Sequence, residues 1–333
     1  MRTGHHLHII HGYDLEMNVL LAEMGKSMIG KSSSTMKRRQ LTMSNFGELN
    51  SISGRKLRGN TWILLTGKHE PIVVDKKTYN LLITNNLDLL KENSSFMDIM
   101  KDAGFLKLDN TALPDPISES QSKLCVITRY GAWILGVSSL LFICYVTLKL
   151  GIPTGDKLIN RSINPVSIII FIILFTLLTT IIHEIMHLLF GQSNPSWKSI
   201  HLSAKIAVAK VPLSHIWTWT VLGRITAVSA GIIADLSELA IFSGLSLITR
   251  TWFISAACSI LWIRILWQFR IHKRTDGQLL LALLFDKPFL HQDLKNSNIW
   301  YSIVIKILGN FVTLLLIAGW LVPLCIRIYQ LVI

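Results

Sequence analysis

The stretch I-I-H-E-I-M-H-L-L-F-G, residues 181–191, carries the spacing H-E-x-x-H over His183, Glu184 and His187. On an α-helix, residues four apart lie on one face, so two imidazoles at this spacing can hold a single metal ion. Glu184, beside them, is placed to take a proton from water activated by that ion. The surroundings are apolar: from Ser162 to His183 there is no Asp, Glu, Lys or Arg. About twenty apolar residues suffice to cross a bilayer, so the motif is expected at the end of a membrane-spanning helix. Two interfacial histidines and a snorkelling glutamate would look the same locally, but ionisable groups at membrane depth are costly and point to function.

Working outward, half of the 333 residues are hydrophobic, which indicates a polytopic α-helical membrane protein. Residues 1–128 hold 16 Lys/Arg against 13 Asp/Glu, leaving 17 against 7 in residues 129–333. The excess positive charge therefore falls between the apolar runs. That is the pattern of positive-inside anchoring in a lipid bilayer and gives no support to nucleic-acid binding. Cys125, Cys144, Cys258 and Cys325 are far apart with no C-x-x-C, so neither a disulfide frame nor a thiolate metal site is expected. The first residues show no apolar run followed by a small-residue cleavage site. The N-terminus is accordingly expected in the cytoplasm, with the chain a multi-pass protein of the cell membrane.

Residues 1–60 read as a poorly patterned extension. His5, His6, His8 and His11 are irregularly spaced, as in a solvated tail; residues 14–30 have helical apolar spacing; Met36-Lys37-Arg38-Arg39 is a basic cluster suited to lipid headgroups. Residues 61–108 predict a small α+β module. T-W-I-L-L-T and I-V-V-D form a hairpin around Gly67 and Pro71, and Asp75 caps a helix K-K-T-Y-N-L-L-I. Ser94 or Ser95 caps a second helix that Gly104 stops, and Pro114 and Pro116 mark a linker. The run W-I-L-L-T-G-x-x-x-P-I-V-V-D-x-x-T-Y-N-L-L, ending in D-A-G-F-L, resembles the PqqD-like peptide-recognition modules. That resemblance implies a winged-helix-like cytoplasmic module that, with its linker, covers residues 61–128, with residues 61–108 holding a leader peptide as an added strand.

Residues 129–333 contain apolar runs at 130–148, 165–190, 222–249, 251–269 and 307–326, about five spans. Residues 277–290 suggest a further short re-entrant or interfacial helix. In the connection 191–221, H-L-S-A-K-I-A-V-A-K-V partly alternates, which suggests a short strand or re-entrant hairpin. With the N-terminus inside, the end of the second span and the stretch Arg270–Asp276 reach the same membrane face.

That coincidence selects a third ligand. A catalytic zinc takes three protein ligands and keeps one position open. Asp276, in R-T-D-G-Q, lies on the expected face, although Asp-Gly alone reads as a turn. Asp235 and Glu238, carboxylates inside the third span, are rivals as ligands, as partners of Arg264 or Arg224, or as residues that orient the histidines. H-E-I-M-H, S-A-G-I-I-A-D-L and D-G-Q-L-L-L-A-L-L-F-D-K-P-F-L together resemble the site-2-type intramembrane zinc metalloproteases, and within them the peptide zinc metalloprotease branch. The resemblance implies Zn2+ held by His183, His187 and Asp276, with Glu184 as catalytic general base. It further implies a peptide or transmembrane substrate. Met186 before the second His, and Arg274-Thr275 before the Asp-Gly, depart from the family's usual residues. A protease releasing a membrane-anchored regulator and a non-catalytic peptide-binding or immunity partner are the alternatives.

Overall fold

The structure is a computed structural model that describes residues 8–9, 49–67, 71–84, 94–107, 115–192, 201–203, 208–210, 213–295 and 300–332. The expected helix at 14–30, the basic cluster at 37–39 and most of the histidine-containing tail lie outside these residues. Met1–Pro116 and Ile117–Ile333 are two compact units.

The first unit is built on an antiparallel sheet. Strands β2 (Ile52–Lys56), β3 (Thr61–Thr66) and β4 (Ile72–Asp75) form a meander, and the two-residue β1 (His8–Ile9) pairs antiparallel with the outer side of β4. In the β3–β4 hairpin Trp62 lies opposite Val74 and Leu64 opposite Ile72. Asp75 ends β4 and caps α1 (Lys76–Ile83), its side chain accepting from the Thr78 N–H at 2.7 Å. After α2 (Ser94–Asp102), Gly104 adopts φ +72°, a left-handed value that glycine tolerates and that terminates the helix. Leu64, Ile72, Val74, Leu82, Phe96 and Phe105 are buried together as the core. The expected domain start at residue 61 is too late. I-S-G-R-K offers almost no apolar alternation, yet it forms β2 because β3 supplies a partner for its backbone. The break between the units, after Pro116, falls in the stretch where Pro114 and Pro116 suggested a linker. Glu119 is tied into the second unit, accepting from the Thr220 N–H at 2.7 Å and pairing with Arg129 at 2.5 Å.

The second unit is helical: α3 (Lys123–Leu150), α4 (Pro165–Gly191), α5 (Val221–Ile248), α6 (Trp252–Gln268), α7 (Asp276–Phe285), α8 (Leu290–Asp293), α9 (Trp300–Leu316) and α10 (Val322–Val332). A π-helical segment, Ile317–Leu321, joins the last two just ahead of Pro323. Proline lacks an N–H and crowds the preceding turn, which accounts for the irregularity. Two three-residue strands, β5 (His201–Ser203) and β6 (Val208–Lys210), pair antiparallel between α4 and α5, where alternation suggested a hairpin.

Against the about five spans expected, four helices are long and apolar enough to cross a membrane: α3, α4, α5 and the composite Trp300–Leu331. The expected fourth span is α6, with 17 residues. At 1.5 Å per residue that reaches about 26 Å, short of a hydrocarbon core of about 30 Å. α7, also short and apolar, starts where a re-entrant helix was expected. Ile134, Leu141, Ile173, Leu174, Ile307 and Phe311 are exposed on the outer helices, a surface suited to lipid and consistent with a multi-pass membrane protein. α5 is the central element: 61% of its most apolar stretch is buried, against 11% for α4. Its small residues, among them Ala227, Ala230 and Gly231, let neighbouring backbones approach closely.

Candidate metal centre

The last turns of α4 bring His183 and His187 onto the face that packs on α5, and both are buried. Each imidazole has its Nδ1 engaged. His183 Nδ1 lies 3.0 Å from Asp235 Oδ2, and His187 Nδ1 lies 2.9 Å from the Ala227 carbonyl, both acceptors on α5. These contacts put the proton on Nδ1 and leave the Nε2 lone pair of each ring facing inward.

Asp276 completes the set. Its Oδ2 lies 2.9 Å from His183 Nε2 and 3.2 Å from His187 Nε2, while the two Nε2 atoms are 3.2 Å apart. Donor atoms about 2.0–2.1 Å from a tetrahedral zinc stand about 3.3 Å from one another, so this triangle has the size such an ion requires. Three lone-pair-bearing atoms converging in a buried place also call for a cation between them. Among the described residues this is the one group of three or more His, Cys, Asp or Glu side chains positioned to hold a metal ion.

The carboxylate is aimed by local structure and not by a turn. Asp276 is the first residue of α7, and Thr275 is its N-cap. The Thr275 hydroxyl donates to the Gln268 carbonyl at 2.8 Å, and the Asp276 N–H donates to Gln268 Oε1 at 3.3 Å. Gly277 is required here because a Cβ would lie 2.2 Å from the Gln268 carbonyl oxygen. Gly231 does the same for the first histidine: a Cβ there would lie 2.4 Å from His183 Nε2, filling the space the imidazole occupies.

Glu184 follows His183 on α4 and is half-buried. Asp235 does not join the triangle. It is fully buried, with Oδ2 on His183 and Oδ1 accepting from Arg264 Nη2 at 3.0 Å. Glu238, one turn further along α5, has buried oxygens with no hydrogen-bond partner. Arg224 pairs with Asp286 at 3.2 Å, leaving neither rival carboxylate as its partner. Two histidines outside the spans stay apart from the cluster. His215, its basicity lowered by burial, contacts the Gly191 carbonyl. His291 is lowered to about 4 by burial and by Arg274 and Lys295, so it is neutral at pH 7.

The sequence named the three converging side chains. It gave no signal for Gln268 or the Ala227 carbonyl, which act through hydrogen bonds that no local pattern encodes. Comparison of the chain with family models, with curated proteins and with solved structures returns no match.

Proposed function

We propose that the chain is an intramembrane zinc-dependent endopeptidase acting on a small peptide, anchored in the cell membrane with its N-terminus in the cytoplasm. The observation that carries this is the convergence of His183 Nε2, His187 Nε2 and Asp276 Oδ2 within 3.2 Å of one another, at the end of a helix long enough to span a bilayer, with Glu184 next in sequence to the first ligand.

His183, His187 and Asp276 would hold the ion. Zinc bound there supplies Lewis acidity, making water more acidic and polarising a peptide carbonyl. The chain's own residues do the rest. Glu184 takes the proton from the attacking water and returns it to the leaving amine. Asp235 and the Ala227 carbonyl keep both imidazoles oriented through turnover, and Gly231 leaves room for the first of them. A helical substrate hides its peptide bonds in internal hydrogen bonds, so it must unwind locally to be cut.

Metal analysis tests the assignment. Protein purified in detergent without chelator is expected to carry one zinc per chain. Stripping the metal should abolish peptide hydrolysis, and stoichiometric zinc should restore it. A chain purified and reloaded with no bound zinc would overturn the proposal.

The N-terminal unit would receive the peptide by strand addition, which needs main-chain hydrogen bonds and little side-chain signature. The pairing of His8–Ile9 along β4 supports this, since that edge already accepts an antiparallel strand. A tethered segment competes at an effective concentration of roughly millimolar. Deleting residues 1–12 is therefore expected to let a labelled synthetic peptide of the same twelve residues bind in trans at least about tenfold more tightly than it binds the full chain. Equal binding to both, measured by fluorescence anisotropy, would remove β4 as the receiving edge.

A further inference from the structure

Three helices meet one turn below the first metal ligand. Arg264, on α6, donates from Nη1 to the Thr180 hydroxyl at 2.6 Å, and from Nη2 to the Thr179 carbonyl at 3.3 Å and to Asp235 Oδ1 at 3.0 Å. Thr179 and Thr180 precede His183 by four and three residues, so they lie on the same face of α4 as the imidazole. The guanidinium thus grips α4 below the ligand and, through the α5 carboxylate, reaches the ligand's own Nδ1 at 3.0 Å.

We propose that Arg264 is a positioning residue of the metal centre, acting through Asp235 to fix the orientation and tautomer of His183. This rests on the metal assignment above.

The physics has three parts. Asp235 is fully buried, and its two oxygens are divided between one cation and one N–H donor. With both occupied in this way, the carboxylate is kept from swinging to the metal as a competing ligand. The arginine also balances the carboxylate's charge, so no uncompensated anion stands beside the centre. Finally, the arrangement is costly. Removing an arginine and an aspartate from water at membrane depth is unfavourable, and apolar residues would join the helices at less expense. A clamp serving packing alone would not call for these charges. Glu238 does not replace Asp235 in this role, since it shares no hydrogen bond with Arg264.

Cobalt(II) is the probe, used on the full chain in detergent, with affinity and the visible d–d spectrum as readouts. R264M is expected to weaken cobalt binding by about 10–100-fold, as loss of a partner behind a ligating histidine does, and to change the spectrum. R264K, which can still pair with Asp235, should recover most of the loss. D235N, nearly isosteric, should weaken binding in the same direction, which keeps the test open if R264M folds poorly. In a double-mutant cycle, R264M should cost little more once D235N is present, because Arg264 acts through that carboxylate. Equal costs of R264M in both backgrounds, or wild-type affinity and spectrum in R264M, would overturn the inference while leaving the metal assignment standing. Wild-type protein that binds no cobalt would overturn the metal assignment, and the inference with it.

Discussion

E184Q is expected to lower peptide hydrolysis by roughly 10²–10⁴-fold, the usual contribution of a positioned general base, while the protein keeps one zinc per chain. The two halves of this result test different things. Glutamine matches glutamate in size and leaves the helix intact, so a loss of activity cannot be assigned to misfolding. It also cannot accept a proton at neutral pH, so only the acid–base step is removed. Glu184 is not one of the three converging residues, and His183, His187 and Asp276 remain to hold the ion. Retained zinc with lost hydrolysis therefore assigns the carboxylate to proton transfer. Retained hydrolysis with retained zinc removes Glu184 as base and transfers the search to another acceptor near the centre. Zinc lost together with activity would make Glu184 a ligand or a support of the ligands.

The outcome can be anticipated from sequence only in part, and the division is physical. The apolar runs announced the long helices because a bilayer selects on length and composition, both of which are local. The two histidines were legible because four residues is one helical turn. Asp276 was harder. Asp-Gly ordinarily marks a turn, and here it opens a helix only because Thr275 caps it, Gln268 holds its N–H, and Gly277 leaves space for the Gln268 carbonyl. The two contacts with Gln268 join α6 to α7 across residues 269–275, where no periodic pattern exists. Asp235 was visible as an acid in an apolar run, but its division between Arg264 and His183 depends on how α4, α5 and α6 pack. β2 was missed because a polar strand at a sheet edge carries no alternation. The fourth apolar run, 251–269, matches α6 to within a residue at each end, but its 17 helical residues are too few to reach across a bilayer.

Asp276 carries the heaviest expected loss of metal. D276A should weaken zinc by well over the 10–100-fold typical of removing a residue behind a ligand, because it removes one of only three donors. Two imidazoles alone leave the ion with half its tetrahedral shell to be filled by water. The carboxylate also supplies the sole negative charge within the triangle. Thermal denaturation gives a second readout. A ligand that binds only the folded state stabilises it in proportion to the logarithm of its concentration over its dissociation constant, about 4 kcal/mol at a thousandfold excess. Added zinc should therefore raise the melting temperature of the wild-type chain and leave that of D276A nearly unmoved. The metal-free forms should melt close together if Thr275 and Gln268 still hold the start of α7. D276H offers the converse test, since a third imidazole can replace the carboxylate as a zinc donor and should restore part of the zinc-dependent shift. Were D276A to bind zinc as tightly as the wild type, the proximity of Asp276 Oδ2 to both Nε2 atoms would be no more than ion pairing with protonated histidines. The third ligand would then have to be sought at Asp235, Glu238 or Glu184, and α4 would have to turn to present its histidines to it.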